Sequence, residues 1–110
     1  MHELSLVKSL LQQVEPYQDR PIKKVVLEVG TMTCVDPERL VFCFDMVKEE
    51  AGLSDVNLQI NMQQAIAKCQ QCEREFKLQQ LGQPCECGSY HYTIGTGRDL
   101  NLIEIEFNDV

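Results

Sequence analysis

Residues 69–72 read Cys-Gln-Gln-Cys, and residues 85–87 read Cys-Glu-Cys. Two close pairs of thiols separated by a short polar loop are typical of a tetrahedral zinc site, because a tight turn brings both sulfurs of a pair to one ion. If all four ligands come from the protein, no open position remains for a substrate, so the zinc would be structural. The predicted ligands are Cys69, Cys72, Cys85 and Cys87.

The second pair is one residue shorter than the usual C-x₂-C spacing. Gly88 follows it and allows the backbone to turn towards the sulfurs. Three alternatives remain open. The same sulfurs bind iron in a rubredoxin-type site, the four cysteines could be ordinary buried or redox-active thiols, and His91 could replace a strained sulfur.

Composition describes a small globular protein. The chain has 110 residues, of which 44% are apolar and 25% charged, and its formal net charge is −7. An acidic surface repels phosphate backbones, so nucleic-acid binding is not expected. The sequence contains neither an apolar run of transmembrane length nor a signal-peptide pattern, so we expect a cytoplasmic protein without membrane attachment. In a reducing compartment, paired cysteines are more often metal ligands than disulfides.

Two helices are predicted outside the cysteine segment. Apolar residues recur at helical spacing from residue 3 to about residue 18, where Pro16 disturbs the helix end. A second helix is predicted to begin at Asp36-Pro37, an N-cap acceptor followed by proline, and to close at Gly52. Cys34 and Cys43, which lie outside the quartet, are expected to be small core residues.

Three strands complete the predicted main domain. Residues 22–29 form an apolar run that ends at Gly30, and residues 56–62 and 100–107 alternate apolar and polar side chains. The predicted fold is α+β, with two helices on a three-stranded sheet and an inserted zinc-ribbon-like module. The predicted boundaries are residues 1–64 plus 96–110 for the main domain and residues 65–95 for the insertion.

The opening Met1-His2-Glu3 is a second candidate metal site. The terminal amine, the His2 backbone nitrogen and the His2 imidazole lie on consecutive chelate rings, and Ni²⁺ and Cu²⁺ favour such planar nitrogen sets. The first N–H groups of a helix have no intrahelical partner, which leaves the amides of His2 and Glu3 available. The Glu3 carboxylate would offset the unfavourable helix dipole. A solvated histidine without metal is the alternative.

Several short segments along the chain form a recognisable series. They are Met1-His-Glu-Leu-Ser-Leu6, Leu27-Glu-Val-Gly30, Cys34-Val-Asp36, Phe42-Cys-Phe-Asp45, the Cys69/Cys72 pair, Cys85-x-Cys87-Gly-Ser89 and Ile103-Glu-Ile-Glu106. In this order they resemble the HypA/HybF family of hydrogenase maturation factors. The resemblance covers essentially the whole chain, and the opening tripeptide together with two cysteine pairs is its most specific part. The one departure is the C-x-C pair, where the family typically has C-x₂-C.

The resemblance implies a nickel metallochaperone for [NiFe] hydrogenase maturation and not an enzyme. It implies that the main domain binds nickel through His2, with Glu3 and backbone nitrogens of Met1, His2 and Glu3, and that the insertion binds zinc. It also implies two partners, a maturation GTPase of the HypB type and the hydrogenase large subunit; homodimer formation is left open. The alternative function is a zinc-ribbon interaction module without a nickel role, and a rubredoxin-like electron carrier is a further rival.

Overall fold

The computed structural model describes residues 3–108. Two α-helices and six β-strands succeed one another along the chain, joined by two 3₁₀ turns. The elements are α1 (Glu3–Val14), a 3₁₀ turn (Glu15–Tyr17), β1 (Ile22–Gly30), a 3₁₀ turn (Thr31–Thr33), α2 (Pro37–Val47), β2 (Asn57–Gln63), β3 (Ile66–Cys69), β4 (Glu75–Lys77), β5 (Tyr92–Thr96) and β6 (Leu100–Phe107).

Helix α1 is amphipathic and ends earlier than the sequence predicts. Its buried apolar residues Val7, Leu10 and Val14 follow helical spacing. Pro16 lacks an N–H for the next helical hydrogen bond, so the chain tightens into a 3₁₀ turn at Glu15–Tyr17. The predicted extension to about residue 18 is therefore partly α-helix and partly 3₁₀ turn.

Helix α2 begins at the N-cap that the sequence predicts but ends at Val47, five residues before the predicted closing glycine. The Asp36 carboxylate accepts hydrogen bonds from the Glu38 N–H at 3.0 Å and the Arg39 N–H at 3.4 Å. After the helix, the N–H of Leu53 donates to the Lys48 carbonyl at 2.8 Å. Gly52 adopts a φ of +77°, which completes a Schellman-type closure at the predicted glycine.

The first sheet has three strands in the order β2-β1-β6. Its centre is β1, where Val25, Val26 and Leu27 are all buried. A run of buried residues is expected of a central strand, whereas the flanking strands β2 and β6 keep the alternating pattern of edge strands. The predicted fold class, two helices with a three-stranded sheet and a separate cysteine module, is confirmed.

A second sheet, in the order β4-β3-β5, consists of three short strands, none of which is among the three strands predicted from the sequence. Both neighbours of β3 are antiparallel to it, with Ala67 opposite Phe76 and Ile94. Ala67, Leu78 and Ala65 form a small buried cluster, against which Phe76 and Ile94 pack. Strands of three to five residues give too short a periodic pattern to be recognised in a sequence.

The described residues divide into two compact units. The first consists of residues up to Leu27, Val35–Asn61 and those from Leu102 onward, and it contains both helices. The second consists of Glu28–Cys34 and Met62–Asn101, and it contains the second sheet and the cysteine pairs. Within residues 3–108, no helix is long and apolar enough to cross a membrane.

The prediction that Cys34 is a core residue is wrong. The Cys34 side chain is exposed, and its backbone adopts the left-handed conformation with a φ of +61° directly after the second 3₁₀ turn. The next residue, Val35, is buried instead. Cys43 is half-buried on α2.

Candidate metal centres

The hairpin that joins β3 to β4 carries the first cysteine pair. Cys69 is the last residue of β3, and Cys72 lies in the turn that follows. The N–H of Glu73 donates to the Cys69 carbonyl at 3.0 Å, and the Cys69 N–H donates to the Arg74 carbonyl at 2.9 Å. These two bonds fold the turn back on the strand, so both sulfurs lie on the same side.

The four sulfurs of Cys69, Cys72, Cys85 and Cys87 lie within 4.8 Å of one another. The Sγ atoms of Cys69 and Cys87 are 3.7 Å apart, and those of Cys72 and Cys85 are 3.6 Å apart. A zinc ion with Zn–S bonds of about 2.3 Å requires tetrahedral sulfur separations of about 3.8 Å. The sulfur separations therefore fit a structural zinc site, and the short C-x-C pair does not prevent its assembly.

Backbone N–H groups surround the sulfur of Cys69. The Gln71 N–H lies 3.4 Å and the Cys72 N–H 3.5 Å from this sulfur. The pKa of Cys69 is lowered to about 6, chiefly by the Cys72 N–H, with further contributions from the Gln71 N–H and the neighbouring thiols; burial opposes the shift. These N–H groups stabilise a thiolate at this position, which is the form that binds metal.

The pKa of Cys85, in the second pair, is shifted in the opposite direction from that of Cys69. The Cys87 N–H favours the Cys85 thiolate, but burial and the hydrogen bonds among the neighbouring sulfurs outweigh it and raise the pKa of Cys85 to about 11. The short turn is held by the Gly88 N–H, which donates to the Cys85 carbonyl at 2.8 Å, and Gly88 has a φ of +90°. Zinc must therefore displace protons from the cluster when it binds.

Contacts outside the quartet support the two turns. The Arg74 guanidinium lies 2.7 Å from the Glu86 carboxylate and so links the segment between the first pair and β4 to the residue between Cys85 and Cys87. The Tyr92 hydroxyl donates to the Gln83 carbonyl at 2.8 Å, and the Tyr92 ring meets Phe76 edge to face at 5.3 Å. These contacts fix the loop before Cys85 on the second sheet.

His91 does not belong to the cluster that the described residues form. It is exposed, and its N–H donates to the Ser89 Oγ at 3.0 Å. The Gln70 N–H donates to the His91 carbonyl at 2.8 Å, which places the His91 backbone beside the first turn. The four sulfurs are already close enough for one ion without an imidazole.

Two of the candidate nickel ligands, Met1 and His2, lie outside the described residues. Glu3, the first described residue, lies in the first turn of α1 and is only 7% exposed. Its Oε2 accepts a hydrogen bond from the Asp36 N–H at 3.4 Å. The start of α1 and the N-cap of α2 are therefore adjacent, and the Glu3 carboxylate already has one partner.

Asp36 lies beside Glu3 in the structure, whereas the sequence predicted only that Asp36 caps the second helix. The Asp36-Pro37 pair correctly indicated where α2 begins. Nothing in the sequence indicated that this helix start lies beside residue 3, because the two positions are separated by a strand and a turn. Proximity of this kind is set by helix packing, and α1 does pack against α2.

The chain is similar in sequence to a family of known proteins along its whole length. Residues 1–107 match the family model described as hydrogenase/urease nickel incorporation, metallochaperone, hypA. The chain is 33% identical to the hydrogenase maturation factor HypA of Nostoc sp. over 111 residues, covering 100% of this chain and 98% of the relative. It is 35% identical to the corresponding factor of Francisella philomiragia over 112 residues, covering 98% of this chain and 100% of the relative.

A solved structure is similar over almost the same length. The solution structure of the Ni metallochaperone HypA from Helicobacter pylori superimposes with a TM-score of 0.68 at 29% identity, covering 97% of each chain. The chain is thus similar to HypA proteins in sequence and in fold along nearly the whole polypeptide. The chain belongs to the HypA family of nickel-incorporation metallochaperones.

Proposed function

We propose that this protein binds Ni²⁺ at its amino terminus and delivers it during [NiFe] hydrogenase maturation. The observation that carries the proposal is the family match over residues 1–107, which includes the opening Met1-His2-Glu3. The proposed ligands are the His2 imidazole, backbone nitrogens of Met1, His2 and Glu3, and the Glu3 side chain. A planar set of nitrogens is a coordination that Ni²⁺ favours.

The environment of Glu3 supports a nickel site at this end of α1. A carboxylate that is 7% exposed and bonded to the Asp36 N–H keeps the first turn of α1 at the N-terminal end of α2. This contact restrains the residue next to His2. The carboxylate also places negative charge near the bound cation.

Delivery by ligand exchange suits a site at the chain terminus. A site built from the first residues can be approached from several sides by an acceptor, whereas the zinc cluster is closed by four protein sulfurs. The two metals would thus differ in lifetime, with zinc held permanently and nickel held in transit.

The proposed division of the chain follows the predicted boundaries. Residues 1–64 plus 96–110 would form the nickel-binding domain, and residues 65–95 the zinc-binding domain. The buried cluster of the second sheet is small and contains two alanines. A core of this size is usually too small to fold without a metal or a disulfide, which supports a structural role for the zinc.

We further propose that the protein is not an enzyme and acts in the cytoplasm with other maturation proteins. The proposed partners are a GTPase of the HypB type and the large subunit of a [NiFe] hydrogenase. Support comes from the maturation role of the family. The sequence carries no Walker motif, so nucleotide hydrolysis would be supplied by the partner.

Nickel calorimetry on zinc-loaded protein tests the proposed nickel site. Three proteins are compared with the chain that has a native amino terminus: one with an N-terminal extension, one with His2→Ala and one with His91→Ala. Since the sequence contains only two histidines, His91→Ala is the matched control. The extension and His2→Ala should abolish nickel binding, because each removes a ligand of the planar set, whereas His91→Ala should bind as the parent does.

Equal nickel binding by the parent and His2→Ala would contradict the proposed site. Absence of binding by the parent, in protein shown to contain zinc, would favour the alternative of a zinc-ribbon interaction module. The zinc content of all four proteins should be equal, since none of the changes touches a cysteine.

A further inference from the structure

Helix α2 has two apolar faces. Leu40 and Phe44 are 1% and 0% exposed and form part of the core of the first unit. Phe42 and Met46 are 62% and 57% exposed, although they lie four residues apart on the same helix. At 100° per residue, this second pair lies on the side of the helix opposite the buried pair.

Single exposed apolar residues are common on protein surfaces and need no explanation. Two large apolar side chains that are exposed side by side on one helix face more often mark a binding surface. Phenylalanine and methionine are also among the residue types enriched at protein interfaces. Cys43, half-buried on the same helix, adds to the apolar surface beside Phe42. We define the α2 outer face as Phe42 and Met46 with the charged residues that flank them.

The flanks of the α2 outer face are predominantly acidic. One exposed cation, Arg39, lies on the outer side of the helix. Asp45 is paired with Lys48 at 3.3 Å, and the Lys48 ammonium also donates to the Val56 carbonyl at 3.1 Å. Within residues 3–108, neither Glu38 nor Glu49 forms an ion pair. The exposed acidic residues are Glu38, Asp45, Glu49 and Glu50.

We propose that the α2 outer face is a docking surface for a basic amphipathic segment of a partner protein. Phe42 and Met46 would be covered by apolar side chains of that segment, and the free carboxylates of Glu38 and Glu49 would meet its lysines or arginines. A second copy of this chain does not fit, because its net charge of −7 and its own acidic flanks would repel this face. The surface does not depend on nickel.

The probe is a synthetic amidated helix of leucines and lysines, with leucine at helical spacing. Two control peptides replace the lysines with glutamates or the leucines with serines. Each is titrated into zinc-loaded, ¹⁵N-labelled protein, and backbone amide shifts are followed. The Leu/Lys peptide should shift amides of residues 37–50, the Leu/Glu peptide should bind at least tenfold more weakly, and the Ser/Lys peptide should not bind.

The key variant is Phe42→Ala with Met46→Ala, because alanine has a higher helix propensity than either residue and preserves α2. It should weaken binding of the Leu/Lys peptide about tenfold or more, a loss typical of truncating interface anchor residues. Ile103→Ala with Leu81→Ala removes two other apolar residues, 49% and 71% exposed, and should leave binding unchanged. Glu38→Gln with Glu49→Gln should weaken binding at low salt and have little effect at high salt.

Three results would overturn the proposal. The first is binding of the Leu/Glu or Ser/Lys peptide as tight as that of the Leu/Lys peptide. The second is unchanged binding in the Phe42→Ala, Met46→Ala protein, with amide shifts outside α2. The third is a dimer of the parent, seen by sedimentation, that the same double variant dissociates, since this would make a second copy the occupant.

Discussion

The carboxylate of Glu3, at the start of α1, accepts a hydrogen bond from the backbone N–H of Asp36, the N-cap of α2, at 3.4 Å. The carboxylate of Asp36 in turn accepts hydrogen bonds from the N–H groups of Glu38 and Arg39. Asp36 therefore donates to Glu3 through its backbone and caps α2 through its side chain. One side chain thus connects the first turns of both helices. A negative charge near the N-terminal end of α2 also interacts favourably with the helix dipole.

Replacing Glu3 by alanine should lower the free energy of unfolding by about 1 kcal/mol, since the change removes one long hydrogen bond and a carboxylate near a helix N-terminus. Urea unfolding with an unchanged m-value measures the loss. Glu15→Ala, at an exposed position, is the control and should leave the urea midpoint almost unchanged. Equal stability of parent and Glu3→Ala would mean that the contact contributes nothing.

Removal of zinc should unfold the second unit selectively. The buried cluster of Ala65, Ala67 and Leu78 is too small to hold the second sheet alone, so chelation or Cys85→Ser should abolish hydrogen-exchange protection of β3, β4 and β5. Protection of α1 and α2 should persist, because their core contains no cysteine of the quartet. Retention of protected β3 amides after complete zinc removal would contradict this prediction.

The two cysteines outside the quartet provide matched controls for the zinc site. Cys34→Ser and Cys43→Ser should each retain one zinc ion per chain by metal analysis, as expected of a four-sulfur site. Acid should release the zinc from these variants and from the parent alike, since protons compete with the metal for the thiolates. Loss of zinc from either serine variant in neutral buffer would show that the ligand set is different.

Replacement of Gly97 by alanine should destabilise the second unit by about 3 kcal/mol, through a disfavoured backbone conformation and steric overlap. Gly97 has a φ of +83°, and an added Cβ would lie 2.4 Å from the Cα of Ala65. Gly82 has a φ of +84° with no atom within 4 Å of the corresponding position, so Gly82→Ala should cost only about 1 kcal/mol. Thermal unfolding of zinc-loaded proteins measures both, and equal losses would rule out the close contact.

The ion pairs of Glu106 should make stability depend on pH. The hydrogen bond and charge of Lys24, 3.2 Å away, and then the charge of Lys23, 3.6 Å away, lower the pKa of Glu106. A carboxylate whose pKa is lower in the folded state stabilises the fold above its unfolded pKa, and this contribution disappears as pH falls through the folded pKa.

Glu106→Gln should therefore reduce stability at neutral pH and have little effect in acid below the lowered, folded-state pKa of Glu106. The loss at neutral pH should be small, because the side chains are partly exposed and screened by solvent. Glu104→Gln, on the same strand and exposed, is the control. A constant difference between Glu106→Gln and the parent from acid to neutral pH would show that the ion pairs make no contribution.

The sequence by itself determined the long elements, their caps and the grouping of the four cysteines. Asp36-Pro37 defines the start of α2 through local backbone chemistry, Gly52 closes the turns that follow the helix end at Val47, and the C-x₂-C and C-x-C spacings act within single turns. Such signals involve residues close together in the chain, so a sequence displays them directly. The alternation in residues 100–107 likewise predicted β6 with its observed bounds.

Only the tertiary structure decided which residue adjoins Glu3 and that three short strands form a second sheet. Helical periodicity already places Leu40 and Phe44 on one face of α2, and both are buried in the structure, while Phe42 and Met46 on the other face are exposed. Contacts between residues far apart in the chain depend on how elements pack, and no local pattern encodes them. For that reason the Glu3–Asp36 contact was not predictable from the sequence.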